Sequence, residues 1–264
     1  MQWEHLTVPD FAKAVEACGG VAILPVGVIE PHGAHLPLGQ DALAVHRLAC
    51  DAAEREPAIV FPLYPWGINH EAAHLPGAVV LKRDLVLQLL ENVCDEMARN
   101  GLKKIILING HGGNRFALPL FVQTYVEKHP DYAVYFARLP FLPGTEGLLE
   151  TSEIGHACEA ETSEALHLFS ELVQMEAVPQ PFTELHRGDA LREAGGYSPM
   201  DWYSMYPTMY VGDATKATAE KGRVICEQQT QNVVRLIKAV KDDTVTPQLL
   251  AEFLDAGRHP RSAY

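Results

Sequence analysis

Residues 21–41 read VAILPVGVIEPHGAHLPLGQD, and this stretch decides the fold. Residues 21–29 form a continuous apolar run, which is typical of a β-strand buried on both faces. A polar turn that contains glycine and proline follows. Over residues 41–54, apolar side chains recur at helical spacing. A strand, a turn and a helix in this order predict one unit of an α/β fold.

The same order returns along the chain. Further strands are predicted over residues 59–63, 78–81, 104–108 and 133–137. Further helices are predicted over residues 84–100, 115–128, 158–172, 214–240 and 247–256. Strands that alternate with helices predict a mostly parallel central sheet with right-handed crossovers. Residues 178–211 are rich in Pro, Gly, Tyr and Met without a clear period, so we expect an irregular excursion within a single domain over residues 1–264.

The composition narrows the class of function. A formal charge of -13 repels phosphate backbones and anionic membrane surfaces, so we expect neither nucleic acid nor a membrane as a partner. No apolar stretch reaches the roughly 20 residues of a membrane span, and the first residues lack a signal-peptide pattern. The five cysteines lie far apart without a C-x-x-C pair, which favours buried thiols over disulfides or a zinc ribbon. These features predict a cytoplasmic protein with a small-molecule substrate.

Polar side chains directly follow two of the predicted strands. Glu30, His32 and Asp41 lie between the first strand and its helix, and His111 follows the strand over residues 104–108. The ligand site of an open α/β sheet lies beyond the carboxyl ends of its strands, so these side chains can converge. Carboxylate and imidazole ligands without thiolates suit zinc, manganese or iron(II). The pattern favours two divalent ions that share one carboxylate and one water.

Each of these residues also has a structural interpretation. Glu30 could cap a turn, and Asp41 could cap the helix that follows. A histidine in a loop is commonly a surface residue that forms hydrogen bonds. We favour the metal site because three such residues share one loop and His111 lies at a second strand end.

A glycine-rich motif, NGHGGN, occupies residues 109–114. Glycines after a strand often form only a tight turn or a loop that binds phosphate. The spacing is not G-x-G-x-x-G, and the chain contains no G-x-x-x-x-G-K-[ST] motif. We therefore expect these glycines to bring the backbone close to the metal ions and a substrate.

A third polar cluster, HACEAETS, occupies residues 156–163 at the start of a predicted helix. Glu159 and Glu161 are two positions apart and cannot share a helical face. One of them should serve the site, while the other faces solvent or interacts with the helix dipole. The spacing alone leaves the choice between them open.

Four motifs together resemble the creatininase (creatinine amidohydrolase) family. They are LPVGVIEPHGAHLPLGQDALAV, NGHGGN, HACEAETS and GDATKATAEKG, and they span roughly residues 20–225. The resemblance implies a three-layer α/β/α fold and a closed homo-oligomer, with a hexamer as one candidate. It also implies a dinuclear metal site whose bridging hydroxide hydrolyses a cyclic or linear amide bond.

The resemblance also implies roles for the first two motifs. Glu30, Asp41 and His111 should hold one ion, and His32 with Asp41 should hold the other, so that Asp41 bridges the pair. Creatininase has a carboxylate two positions after the equivalent of His111, where this chain has Gly113. Another acid must therefore complete the shell of the second ion.

Glu161 is the candidate for that ligand, with Glu159 as the reserve. His156 would donate a proton to the leaving group, a role that an imidazole can fill. Glu159 is the neighbouring carboxylate that could donate this proton instead. A capping contact at the start of the helix is the structural interpretation of His156.

The loop after the second predicted strand departs from the family pattern. Family members often carry G-x-S-x-E-H and F-P-G-T, whereas residues 67–72 read GINHEA and residues 75–78 read LPGA. This loop is expected to form part of the wall of the substrate pocket. The resemblance therefore does not imply a particular substrate for this chain. The candidates for that wall are Trp66, His70, Trp202 and Tyr203, which could equally serve packing or an interface.

Three other functions stay open at this point. The same metal hydroxide would serve a hydrolase of a cyclic polyol ketone of the 3-dehydro-scyllo-inosose type, which cleaves a carbon-carbon bond. A non-catalytic protein that binds a metal or small ligand would keep the fold, although the complete ligand set argues against it. A nucleotide-binding regulatory domain would use the glycine-rich loop, but the acidic charge and the missing P-loop argue against that function.

Overall fold

A parallel sheet forms the centre of the protein, in a computed structural model that describes residues 1–137, 147–181, 184–258 and 260. Within these residues the sheet has four strands in the order β2-β1-β3-β4. The strands are β1 (Val21–Val26), β2 (Ile59–Val60), β3 (Lys104–Asn109) and β4 (Ala133–Phe136). All neighbouring pairs are parallel. The carboxyl ends of the strands therefore lie along one edge.

Helices connect and cover the strands. They are α1 (Val8–Ala17), α2 (Gln40–Arg55), α3 (Arg83–Arg99), α4 (Ala117–Thr124), α5 (Glu159–Leu168), α6 (Asp189–Glu193), α7 (Asp201–Met205), α8 (Ala219–Asp242) and α9 (Val245–Arg258). Short 3-10 turns supplement them at His70–Ala72, Gly112–Arg115 and Tyr125–Lys128, among other places. None of the helices in the described part of the chain is both long enough and apolar enough to cross a membrane.

The two faces of the sheet carry separate apolar clusters, which confirms the predicted three-layer α/β/α fold. Ala22 and Leu24 of β1 pack in a cluster with residues of α1, α3 and α4. Val21 and Ile23 face the other way and pack with residues of α2 and α8. Because successive side chains of a strand point to opposite faces, a strand covered on both sides must be apolar throughout. This arrangement explains the unbroken apolar run that begins at Val21.

Two glycines allow α2 to approach the ends of β1 and β3. A Cβ atom on Gly27 would lie 2.4 Å from Cα of Ala42, and one on Gly110 would lie 2.6 Å from Cβ of Val45. Any side chain at either position would therefore push α2 away from the sheet. The close approach brings Asp41, in the first turn of α2, to the carboxyl edge of the sheet.

Several predicted strand boundaries are wrong in detail. The strand over 21–29 ends at Val26, and the strand over 59–63 pairs only through Ile59–Val60. Residues 78–81 form no strand; Val79 donates one backbone hydrogen bond to Ile29 but is 41% exposed. A short apolar run without a neighbouring strand to pair with remains an extended loop.

Helix boundaries also differ from the predicted ones. The helix over 115–128 divides into α4 and a 3-10 turn at Tyr125–Lys128, and the helix over 158–172 ends at Leu168. The helix over 214–240 begins only at Ala219, because the Thr218 hydroxyl accepts a hydrogen bond from the Lys221 backbone N–H and caps it. Helix α1 has no counterpart among the predicted helices.

The irregular segment over 178–211 contains only the short helices α6 and α7 in its described part, as the sequence predicts. Arg192 holds it together through ion pairs with Glu184, Asp189 and Asp201. Residues 182–183 lie outside the described residues. The segment therefore depends on local polar contacts more than on an apolar core.

Helices α5 and α8 pack closely, and Gly222 of α8 makes this possible. A Cβ atom at this position would lie 1.8 Å from the backbone oxygen of Ser163. Neither backbone can yield without separating the two helices. The position of α5 therefore depends on residue 222 being a glycine, and so do the positions of the acids that α5 carries.

We expect Gly222→Ala to destabilise the fold by about 2 kcal/mol or more, because the overpacking cost exceeds the gain in helix propensity. Urea unfolding measures this change. Gly257→Ala in α9 is the matched control, since a Cβ atom there meets no atom within 4 Å. Equal urea midpoints for the two variants would show that the α5-α8 contact tolerates the methyl group.

Candidate metal centre

A cluster of buried acids and imidazoles lies at the carboxyl edge of the sheet. Glu30 and His32 follow β1 and are fully buried, Asp41 lies in the first turn of α2, and His111 follows β3. The backbone N–H of Glu30 donates to the carbonyl of Leu38, which closes the loop and returns the chain to the start of α2. The structure thus brings together all four residues of the first two predicted clusters.

Asp41 lies between two histidines. Its Oδ1 is 2.9 Å from Nε2 of His32, and its Oδ2 is 2.9 Å from Nδ1 of His111. Nδ1 of His32 lies 3.2 Å from the carbonyl oxygen of Glu30, an acceptor, so this nitrogen carries a proton. Nε2 of His32 is therefore the nitrogen that can face a cation. One carboxylate with each oxygen beside a different imidazole suits a bridging ligand.

Glu30 supplies carboxylate oxygens that lack donors. Oε1 is 3.1 Å from Nδ1 of His111 and 3.7 Å from Nε2 of His156. Both Glu30 oxygens and Oδ2 of Asp41 are nevertheless buried without a partner in hydrogen-bond geometry. Buried carboxylate oxygens without donors are costly unless a cation neutralises them. The donor set therefore fits divalent ions.

The charges of this cluster shift its pKa values. Burial opposes the charged form of His32, but the Asp41 carboxylate outweighs it and raises the pKa of His32 to about 9. Burial likewise opposes charge on His111, while Glu30 and Asp41 raise the pKa of His111 well above its usual value. The two imidazoles in turn lower the pKa of Asp41 against the effect of burial. Ions that bind here would displace these protons.

Glu161 and Glu159 of α5 occupy different surroundings. Glu161 lines the cavity beside the cluster, and its Oε2 accepts a hydrogen bond of 2.6 Å from the Ala157 backbone N–H. Glu159 forms an ion pair with Lys221 and accepts hydrogen bonds from the backbone and hydroxyl of Thr151. The carboxylate of Glu159 therefore already has a full set of partners away from the cluster.

His156 joins the cluster from the turn before α5. Its ring lies 4.1 Å from that of His32, centroid to centroid, and its Nε2 is 2.9 Å from the carbonyl oxygen of Pro31. Trp202 of α7 meets the His156 ring edge-on at 6.0 Å. His156 is largely buried and lines the cavity.

The four residues suggested for a substrate wall lie in different places. Trp202 contacts His156, as described. Trp66 packs against the apolar cluster on the α3 side of the sheet, and His70 is exposed. Tyr203 contacts His74 and lies beneath the guanidinium of Arg187. A role in substrate contact stays a prediction for all four.

Glu71 was missing from the sequence-based candidates. Its Oε1 lies 3.2 Å from Nε2 of His111, on the side of the ring opposite Asp41. Burial opposes the charged form of Glu71, but the hydrogen bond with His111 lowers the pKa of its carboxyl group. Residues 67–72, GINHEA, keep the glycine and the glutamate of the family pattern G-x-S-x-E-H. Aligning these residues with that pattern would have identified Glu71.

A cavity of about 790 Å³ opens beside the cluster. Its wall combines cluster residues with apolar and polar side chains of β4, α5 and α8, among them Phe136, Leu168, Glu164 and Asn232. Burial raises the pKa of Glu164 to about 8, although Gln229 donates a hydrogen bond of 2.6 Å to its Oε1. A mixed apolar and polar wall of this volume suits a small organic molecule.

The Glu164 shift predicts how the stability of metal-free protein depends on pH. The ordinary value is 4.5 and the folded value about 8, so the folded protein keeps a proton that the unfolded chain releases. Its stability must then fall as pH rises through this window. We expect the Tm of Glu164→Gln to exceed that of the parent protein by an amount that grows from pH 5 to pH 9 and reaches a few degrees at pH 9. Calorimetry at each pH tests this, with exposed Glu54→Gln as the control, and parallel curves for all three proteins would contradict it.

Comparison with known proteins places this geometry in a family. The family profile described as "Creatininase: Creatinine amidohydrolase" matches residues 4–237. A 3-dehydro-scyllo-inosose hydrolase from Thermotoga maritima is 28% identical over 91% of this chain and 83% of its own length. A creatinine amidohydrolase from Pseudomonas putida is 26% identical over 89% of this chain and 95% of its own length.

A solved creatininase variant described as "Zn-Zn type" shares the fold. It superposes with a TM-score of 0.74 at 24% identity, over 92% of this chain and 98% of that structure. The family profile covers well over half of the sequence, including every residue of the buried cluster. The chain therefore belongs to the creatininase family and, like its named relatives, is a hydrolytic enzyme.

Proposed function

We propose that this hydrolase uses two divalent metal ions to cleave a carbon-nitrogen bond in a cyclic or linear amide. The observation that carries the proposal is the pairing of each Asp41 oxygen with a different buried histidine. The donorless oxygens of Glu30 beside them add a second reason to expect cations. The "Zn-Zn type" creatininase and the creatinine amidohydrolase relative support the same chemistry.

The ligand sets follow from which atoms face one another. Glu30, Asp41 and Nδ1 of His111 would hold one ion. Nε2 of His32 and Oδ1 of Asp41 would hold the second, with Glu161 as the third ligand. Zinc, manganese and iron(II) all suit this oxygen and imidazole set. When bound, such a pair polarises a carbonyl group and supplies hydroxide at neutral pH.

Glu161 is the better candidate for the third ligand than Glu159. It lines the cavity, and its charge adds to the effect of the Asp41 carboxylate, which raises the pKa of His32 against the opposing effect of burial. Glu159 is 1% exposed and engaged by Lys221. We therefore propose that Glu159 holds α5 in place. Its alternative roles are that of the metal ligand in place of Glu161 and that of the proton donor in place of His156.

His156 is our candidate for the proton donor to the leaving group. Its Nε2 donates to the carbonyl of Pro31, which fixes the ring and leaves Nδ1 for proton transfer. The ring lies in the cavity wall beside the ring of His32, and the contact from Trp202 restricts its rotation. A fixed imidazole beside the reacting bond is well suited to general acid catalysis.

A second candidate substrate class is a cyclic polyol ketone. The Thermotoga maritima relative, a 3-dehydro-scyllo-inosose hydrolase, favours it through 28% identity over 91% of this chain. The polar part of the cavity wall, which includes Glu164 and Asn232, suits a substrate with several hydroxyls. The same metal pair and His156 would serve this substrate, so only turnover separates the two classes.

The proposal includes a reducing, cytoplasmic setting and a closed homo-oligomer. All five cysteines are buried and free, which supports the reducing setting. An exposed apolar stripe on α9, formed by Val245, Leu249 and Phe253, supports assembly.

Metal content should separate the roles of the acids. Asp41→Asn removes the shared ligand, so we expect loss of both ions, and Glu161→Gln should lose one. Glu159→Gln should keep both ions but lower the free energy of unfolding by about 1–3 kcal/mol, because the buried carboxylate loses its charge-assisted hydrogen bonds with Lys221 and Thr151. Elemental analysis after dialysis, together with urea unfolding, measures both effects. Loss of an ion from Glu159→Gln but not from Glu161→Gln would reverse the assignment.

Turnover should depend on His156 and identify the bond. We expect metal-loaded protein to hydrolyse lactams or formamides, and His156→Asn to lower kcat by ~10²-fold or more with little change in KM. Product analysis against lactams, formamides and cyclic polyol ketones tests this. Turnover of the ketones alone would replace the amide substrate, and an unchanged kcat would remove His156 from proton transfer.

A further inference from the structure

We propose that Glu71 is the positioning residue for His111. Its carboxylate accepts a hydrogen bond from Nε2–H of His111 and so turns Nδ1 toward Glu30 and Asp41. The inference rests on the proposed metal centre, since it concerns how His111 is presented to an ion.

The geometry of the His111 ring carries the argument. Nδ1 lies 2.9 Å from Oδ2 of Asp41 and 3.1 Å from Oε1 of Glu30, whereas Nε2 lies 3.2 Å from Oε1 of Glu71. The two ring nitrogens point in divergent directions. An ion on Nδ1 therefore lies on the far side of the ring from Glu71. The Glu71 carboxylate accepts only while Nε2 keeps its proton, so the proton that an ion displaces is the one on Nδ1, and the lone pair freed there binds the ion.

Two buried asparagines hold the segment that carries Glu71. Oδ1 of Asn114 accepts a hydrogen bond of 2.8 Å from the Ile68 backbone N–H. Nδ2 of Asn69 donates one of 3.0 Å to the carbonyl of Ile29. Both asparagines are 1% exposed. The Glu71 segment is therefore tied to the loops after β1 and β3, from which the other cluster residues come.

Gly113 leaves room for the Glu71–His111 contact. A Cβ atom on Gly113 would lie 2.4 Å from Nε2 of His111 and 2.5 Å from Oε1 of Glu71. A side chain at 113 and this hydrogen bond thus exclude each other. Gly113 and Glu71 thus form a linked pair, in which the glycine leaves the space that the Glu71 carboxylate fills. The glycine is required because another residue supplies the carboxylate to this side of the ring.

A carboxylate on the distal nitrogen of a metal-binding histidine fixes the ring and makes the other nitrogen a stronger ligand. Loss of such a partner typically lowers metal affinity about 10- to 100-fold. The ligand count itself does not change. The ligand count therefore separates positioning from direct ligation. Direct ligation is the alternative, because one ligand atom each of Glu30, Glu71 and His111 lie close enough together to hold one ion.

Glu71→Gln and Glu71→Ala test the inference in the full-length protein. We expect both variants to bind as many zinc ions as the parent protein. The dissociation constant of the ion held by His111 should rise about 10- to 100-fold. Competition titration against a zinc chelator measures affinity and stoichiometry. In zinc-loaded protein, proton NMR should show the Nε2–H of His111 as a downfield, slowly exchanging signal that moves upfield in Glu71→Ala, because its hydrogen-bond acceptor is gone. Glu56→Gln is the control, because Glu56 is similarly shielded and forms an ion pair with Lys241 away from the cluster.

A glycine pair gives an independent test. Gly113→Ala should weaken zinc binding and shift the same Nε2–H signal, whereas Gly112→Ala should do neither, since a Cβ atom at Gly112 meets nothing within 4 Å. Unchanged affinity in Glu71→Gln and Glu71→Ala would overturn the inference, and so would loss of a whole ion, which would make Glu71 a ligand. If the parent protein binds no zinc at all, the proposed metal centre itself fails and the inference fails with it.

Discussion

The carboxylate of Asp41 lies between two buried imidazoles, and the rest of the site is arranged around it. Burial removes the water that would solvate these charges, so each group needs an opposite charge nearby. Two histidines lie beside the two oxygens of the Asp41 carboxylate, but Oδ2 of Asp41 and both oxygens of Glu30 have no partner in hydrogen-bond geometry. A cluster with more acceptors than donors is suited to cations.

The fold supplies this arrangement through close backbone approach. Glycines at the ends of β1 and β3 admit the first turn of α2, which carries Asp41, and Gly222 admits α5 against α8. Each contact brings a polar residue to the carboxyl edge of a parallel sheet, where loops from separate strands meet. Stability and the geometry of the cluster are thus linked, since the contacts that pack the helices also set the positions of its acids and imidazoles.

The sequence predicted the parts that local patterns determine. The apolar run at Val21, the helix that carries Asp41 and the cluster of Glu30, His32, Asp41 and His111 were all found from spacing and residue type. A four-residue apolar run at 78–81 was read as a strand because pattern alone does not show whether a neighbouring ladder exists. Glu71 was missed because its contact with His111 joins positions 40 residues apart and depends on the absent side chain at 113. Spacing could not separate Glu159 from Glu161, since the difference lies in the pairing of Glu159 with Lys221 of α8, which is 62 residues away in the sequence.

Anomalous scattering from crystals grown with saturating zinc would test the central claim most directly. The account predicts two anomalous peaks, one beside each oxygen of Asp41, with His32 next to one and His111 next to the other. A single peak that does not touch Asp41, or no peak within the cluster, would contradict it.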